Sequence, residues 1–219
     1  MIRAETIKRQ IHVWHVEMTE RPAAAARTKR PYELKKCEVP LPELNRFLYA
    51  TVGAPWKWYM RLEWSWQAWW DFLNRPTVET WVAYQGATPV GYFELEQQDH
   101  GQAEIAYFGL LPDFVGKGLG RQLLEDAIAK AWALAESRIW LHTCTLDHPA
   151  ALPNYLARGF RVFKEEDSRT RYQPLSLNPG QARTNRPLPS RGELLSHRLQ
   201  LIPKVRVSNG NQLFPSGCE

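Results

Sequence analysis

QAEIAYFGLLPDFVGKGLGRQLLEDAIAKAWALAESRIWLHTCTLDHPAALPNYLARGFRVFKEE, residues 102–166, carries most of the architectural information in this chain. QAEIAYFGLL (102–111) is a β-rich apolar run and reads as a strand. A glycine-rich turn follows. From Lys117 to about Glu136 the apolar residues Leu119, Leu123, Leu124, Ala127, Ile128, Ala131 and Leu134 recur at helical spacing. RIWLHTCT (138–145) is a strand, PAALPNYLAR (149–158) a short helix that Gly159 would end, and FRVFKEE (160–166) a strand. Strands alternating with helices predict a mixed α/β layer architecture.

Upstream, IHVWHVEM (11–18) alternates as a strand, and RPAAAARTKRP (21–31) reads as a solvated loop. PLPELNRFLYATVG (40–53) is helical, with Leu44, Phe47 and Leu48 on its apolar face and Gly53 as its stop. SWQAWWDFLNR (65–75) is a second helix with Ser65 as cap and Pro76 beyond its end. VETWVAYQ (78–85) and PVGYFELEQ (89–97) form a hairpin around a turn at Gly86–Pro89.

The charge is divided unevenly. The 219 residues sum to +5, but residues 1–36 hold nine Lys/Arg against four Asp/Glu and residues 169–219 hold eight against two. Residues 37–168 carry eleven against seventeen, and all ten Trp lie between Trp14 and Trp140. The expected organisation is an N-terminal strand and basic loop (1–35), a folded domain (36–168) and a basic, unstructured C-terminal tail (169–219). LLSHRLQLIPKVRV (194–207) is the part of that tail able to form a short element. The basic ends contain no nucleic-acid-binding motif, so nucleic acid is not an expected partner. No apolar run approaches about 18 residues, which argues against a membrane span. Cys37, Cys144 and Cys218 are odd in number, widely spaced and without CxxC or Cys/His ligand spacing. They point to a reduced, cytoplasmic setting, with Cys144 structural. The six histidines show no metal-ligand spacing, and His142 reads as a strand residue in or near the core.

The turn Phe114-Val115-Gly116-Lys117-Gly118-Leu119-Gly120-Arg121 is the chemical signal. Glycines at 116, 118 and 120 let the backbone approach a ligand. They open a helix, where unpaired N–H groups and the dipole favour a phosphate. The spacing is GxGxG. It is neither the GxGxxG of dinucleotide sites nor the GxxxxGK[ST] of nucleoside-triphosphate loops.

LLPDFVGKGLGRQLLEDAI resembles the acetyl-CoA-binding motif of the GNAT superfamily of N-acetyltransferases, Q/R-x-x-G-x-G/A between a strand and a helix. Gly118 and Gly120 fall on its glycines, while Val115 stands where Gln or Arg is usual. ALPNYLARGF resembles a second signature of that family through Ala151, Tyr155, Gly159 and Phe160. His148 stands where many relatives have Asn. The resemblance covers roughly residues 36–168.

It implies an α/β (α+β) GNAT fold: a mixed, mostly antiparallel twisted sheet with splayed central strands, flanked by helices. It further implies an acetyl-CoA-dependent N-acetyltransferase acting on a primary amine, small molecule before protein, as monomer or homodimer. Acetyl-CoA would be the co-substrate, with no metal. The pantetheine would pair with Phe108, Gly109 and Leu110. The pyrophosphate would lie on the amides of Val115, Gly116, Lys117, Gly118, Leu119 and Gly120, with charge from Lys117 and Arg121. Tyr155 corresponds to the family's acid. Glu104 corresponds to a glutamate that acts as base through water, Glu94 is its rival, and direct attack with ordered water needs neither. A catalytically inactive acyl-CoA-binding sensor is the alternative. Asp147-His148 falls near the expected cofactor edge.

WKWYMRLEWSWQAWWDF (56–72) holds six of the ten Trp. Trp66, Trp69 and Trp70 fall at i, i+3, i+4 and are expected to line one helix face. Trp56 and Trp58 precede the helix. The family resemblance sets them beside the acceptor, where aromatic faces suit a cationic amine or a flat acceptor.

Overall fold

The computed structural model describes residues 7–23 and 29–172. Strands β1 (Ile7–Met18), β2 (Glu33–Lys36), β3 (Val78–Gln85), β4 (Thr88–Gln98), β5 (Gln102–Leu110), β6 (Arg138–Cys144) and β7 (Arg161–Tyr172) form one sheet. Their order is β2-β3-β4-β5-β6-β1-β7. Helices α1 (Pro42–Gly53), α2 (Trp66–Leu73), α3 (Leu119–Leu134) and α4 (Ala151–Leu156) cover it.

Local chemistry sets the helix ends. Pro42 begins α1, where its missing N–H is not needed. The Ser65 hydroxyl accepts from the Ala68 amide and caps α2. Pro153 is tolerated because it sits in the first turn of α4.

All neighbouring strands are antiparallel except β5 and β6, which are parallel. A parallel pair needs a covering crossover, and α3 supplies it. β5 and β6 pair only at Gln102↔Arg138, Ala103↔Ile139 and Glu104↔Trp140. In the β4–β5 register, Glu94 faces Tyr107 and Leu95 faces Ile105, so Ala106 is an extra residue. Such a bulge bends and twists its strand. It sits where β5 leaves β6, and the sheet opens there into a wedge.

The sheet is buried on both faces. Leu123, Leu124, Ala127 and Ala131 of α3 pack with Phe93, Leu95, Ala103, Ile139 and Leu141. On the other face Leu48, Tyr49 and Val52 of α1 and Trp69 and Leu73 of α2 pack with Val82, Tyr92 and Tyr107.

The sheet reaches outside residues 36–168 at both ends. β1 lies between β6 and β7, and its pairing with β7 runs from Ile7↔Tyr172 to Glu17↔Arg161. β7 therefore extends six residues beyond the expected end at Glu166. Residues beyond Tyr172, including 194–207, lie outside the described residues.

The tryptophan helix differs from expectation. Trp69 enters the core at 1% exposure and meets Tyr49 and Trp64 edge-on. Trp66 and Trp70 stack on each other, with centroids 5.4 Å apart, and stay half-buried. One helical turn separates 66 from 70, whereas 69 points about 60° away, so the three split between core and surface.

Candidate active site

The wedge between β5 and β6 holds a cleft of about 340 Å³. Its walls include Ile105–Leu110 of β5 and Leu141 and His142 of β6. Val115, Gly116, Gly118, Gly120 and Arg121 line the end where α3 begins, and Asn154 and Tyr155 of α4 line another wall. Trp56, Trp58, Asp147 and His148 line it as well.

Two of the three glycines in the turn stand in a conformation that calls for glycine. Gly116 and Gly118 adopt φ of 79° and 78°, the left-handed region costly to other residues. A Cβ on either would meet nothing within 4 Å, so the demand is conformational, not spatial. No side chain caps the start of α3, and no acidic residue lies in its first turn. An anion can therefore use those amides without displacing a protein carboxylate. Arg121 adds a charge at the rim and donates to Glu125 at 3.1 Å. The cradle thus fits a phosphate-bearing cofactor such as a CoA thioester.

Gly109 answers a different constraint. A Cβ there would lie 2.4 Å from Val52 Cγ1, so its absence lets α1 close against β5 beneath the cleft.

Of the residues expected to hold the cofactor, Phe108, Gly109, Leu110, Val115, Gly116, Gly118, Gly120 and Arg121 come together in the cleft. Two side chains do not. Leu119 is buried in the core with Leu123, and the Lys117 ammonium lies over the Phe114 ring at 5.3 Å. Tyr155 reaches the cleft with its ring held edge-on between Phe108 and Phe160. Trp56 and Trp58 both line it, and Trp58 packs against Tyr107 at 4.9 Å.

The two glutamates stand elsewhere. Glu94 is 2% exposed and is not among the lining residues. Arg61 donates to its Oε1 at 2.6 Å. The guanidinium is boxed by Phe72 at 4.1 Å, Tyr107 at 4.3 Å and Trp64 at 4.8 Å. This buried pair takes Glu94 out of the expected acceptor contact. Glu104 occupies the last β5 position paired with β6, one residue before the cleft opens. It accepts from Gln98 Nε2 at 2.9 Å and lies 3.7 Å from Nδ1 of His142.

Electrostatics sort the cleft phenols. Burial pushes the Tyr107 hydroxyl well above the usual tyrosine range, against the opposing pull of Arg61. It therefore stays protonated at neutral pH. Its neighbours Tyr49 and Tyr92 are raised by burial in the same way.

Two features of the site were faint in the sequence. Asp147 Oδ2 accepts from Thr143 Oγ1 at 2.7 Å and from the Cys144 amide at 3.0 Å, which fixes the turn after β6. The next residue, His148, meets the Trp56 ring edge-on at 5.1 Å. Those two rings come from either side of the wedge and bridge it. The second feature is His142, whose only sequence signal was its place in a strand.

A sheet split between two parallel strands, with a glycine-built helix start at its mouth, is the arrangement of the GNAT fold. The sequence profile described as Acetyltransferase (GNAT) family matches residues 41–160. The chain belongs to that family.

Two solved structures agree on the fold. A GCN5-related N-acetyltransferase from Sphaerobacter thermophilus superposes with TM-score 0.54 at 13% identity, over 78% of this chain and 62% of that one. A protein of Novosphingobium aromaticivorans assigned to the GNAT family gives TM-score 0.51 at 16% identity, over 78% and 67%. A Bacillus subtilis acetyltransferase in complex with CoA matches with TM-score 0.44 at 22% identity, over 61% and 78%. The chain spans less than two thirds of the length of several solved structures that it matches. A search of curated proteins returns no significant match. Among the described residues, no helix is long and apolar enough to cross a membrane, and no group of His, Cys, Asp or Glu is arranged to hold a metal.

Proposed function

We propose that the protein transfers an acetyl group from acetyl-CoA to a primary amine on a small molecule. The observation that carries this reading is the wedge itself: a cleft that opens where β5–β6 pairing ends, with the glycine cradle at one end and Tyr155 in its wall. The free edge of β5 at Phe108–Leu110 would hold the pantetheine, and the amides of Val115–Gly120 with Arg121 the pyrophosphate. Bound acetyl-CoA supplies the thioester carbonyl that an amine attacks. Tyr155 would donate the proton that the departing thiolate needs. Burial keeps Tyr107 a neutral phenol, so it shapes the cleft without taking a proton. The Trp56–His148 bridge supports a small acceptor over a polypeptide, since it narrows the way in between the two walls. Aromatic faces at Trp56 and Trp58 suit an amine carried on a cationic or flat body.

The test combines binding with turnover. Acetyl-CoA at 100 times its Kd should stabilise the fold by about 2.7 kcal/mol. That corresponds to a Tm rise of about 5–10 °C for a chain of this size. An amine library read by free-thiol release should then identify the acceptor. Tyr155→Phe should cut kcat at least tenfold while the acetyl-CoA Kd holds. No Tm change at millimolar acetyl-CoA would refute the reading. Binding with no thiol release from any amine would leave a CoA-binding module in its place.

A further inference from the structure

The attacking amine must lose a proton, and neither expected carboxylate reaches the cleft to take it. Glu94 is bound to Arg61, and Glu104 stops one residue short of the opening. His142 does reach it. It lies on β6 two residues past Trp140, the last β6 residue paired with β5, and its side chain is 9% exposed. Its Nδ1 is 3.7 Å from Oε1 of Glu104, whose side chain is 5% exposed. A second histidine stands behind it: the His15 ring of β1, directly opposite in register, is 5.8 Å away. His15 Nε2 lies 2.8 Å from Oε1 of Glu166 on β7, a residue whose side chain is 43% exposed. Glu104, His142, His15 and Glu166 thus form one row across four strands, from the cleft to solvent.

We infer that His142 is the proton acceptor of the transfer reaction and that Glu104 is the positioning residue that sets its tautomer. This rests on the acetyl-transfer reading above. A carboxylate facing Nδ1 favours the Nδ1–H tautomer, which leaves the Nε2 lone pair for the substrate. At 3.7 Å the contact is longer than a direct hydrogen bond, and it acts as an ion pair once the imidazole is charged. In the step, the amine nitrogen bonds to the acetyl carbon and the carbon–sulfur bond breaks. The amine proton goes to His142, and the thiolate takes the Tyr155 proton. His142 then gives its proton to solvent once the product leaves, while Tyr155 is reprotonated from solvent, so the sum is amine plus thioester giving amide plus thiol.

Glu104 approaches His142 from β5 and His15 from β1, and Tyr107, Asp147 and His148 share the cleft lining with it. Behind Glu104, Glu96 of β4 is raised by burial, with Arg75 acting against the rise and Glu104 adding to it. Lys164 pairs with Glu166 at 2.7 Å on the solvent side.

The experiment uses the full chain, acetyl-CoA and the best amine from the library. His142→Gln should lower kcat by about 100-fold or more, the range of a lost general base. It should leave the acetyl-CoA Kd within twofold, remove the acid limb of the pH–rate profile and respond to added imidazole. Glu104→Gln should keep that limb but displace it. Independently of turnover, ¹⁵N spectra of the ligand-free protein should show His142 as Nδ1–H in the wild type and as a tautomer mixture in Glu104→Gln. Wild-type kcat in His142→Gln would overturn the proposal and leave acetyl transfer standing. If the wild type neither binds acetyl-CoA nor releases thiol, the transfer reading falls on its own, and with it the reaction assigned to His142. Nitrogen spectra unchanged by Glu104→Gln would refute the positioning role in either case.

Discussion

Glu94→Gln is a sharp probe of how the sheet face under α1 and α2 is held. The substitution preserves shape and removes one charge, leaving Arg61 cationic in a box of Phe72, Tyr107 and Trp64 with no carboxylate against it. Both members are almost fully buried, at 8% and 2% side-chain exposure, so water cannot replace the lost partner. Burial lowers the Arg61 pKa, while Glu94 together with Tyr107 and Tyr92 raises it; an arginine starts so far above neutral pH that it stays charged when the carboxylate is lost and cannot escape by deprotonating. Breaking such a pair from one side costs about 3–5 kcal/mol. For a domain of this size that is a Tm loss of about 6–20 °C. The joint replacement Arg61→Met with Glu94→Met removes both charges and keeps the volume, and should recover most of the loss. The assay is thermal and urea unfolding of the three proteins without acetyl-CoA, so that ligand linkage does not enter. A Glu94→Gln protein within about 1 kcal/mol of wild type, or a double variant less stable than the single, would refute the argument.

Two further outcomes are expected. Gly118→Ala meets no atom within 4 Å but must hold φ near 78°, at a cost of about 1–2 kcal/mol; it should weaken acetyl-CoA binding measured by calorimetry far more than Gly86→Ala, a hairpin-turn glycine at φ 58° that is equally free of contacts. His12 is raised above its ordinary 6.5 by hydrogen bonds first to Asp167 and then to Glu165 across the β1–β7 ladder. Its contribution is fully present below pH 6.5 and lost as pH rises through the raised value, so the Tm gap between wild type and His12→Asn should close on the alkaline side.

What the sequence disclosed followed from physics local to a few residues. The α3 apolar spacing, the Ser65 cap and the 78–97 hairpin are each decided within one turn or one strand pair. The glycine cradle was legible for the same reason, because the conformation it needs is a property of glycines 116 and 118 themselves. β2 was missed: ELKK has no apolar alternation and is a strand only because β3 lies beside it. The last six residues of β7 are polar and are drawn into the sheet by β1. Glu94 was misjudged because its partner sits 33 residues away in a 3₁₀ turn at Met60–Glu63 that no periodicity marks. His142 could not be singled out because its meaning depends on where β5 and β6 part, which is a tertiary fact.

The place of β1 bears on how this domain is made. Its two neighbours are β6 and β7, so residues 7–18 wait for residues 138–144 and 161–172 before either edge is satisfied. On the ribosome the first strand emerges early and stays an unpaired edge through most of synthesis, a surface open to wrong pairing and to chaperones. Contacts of such long sequence separation also slow folding. The wedge lies beside β6, the strand that β1 secures, so the cleft is among the last features to acquire its final geometry.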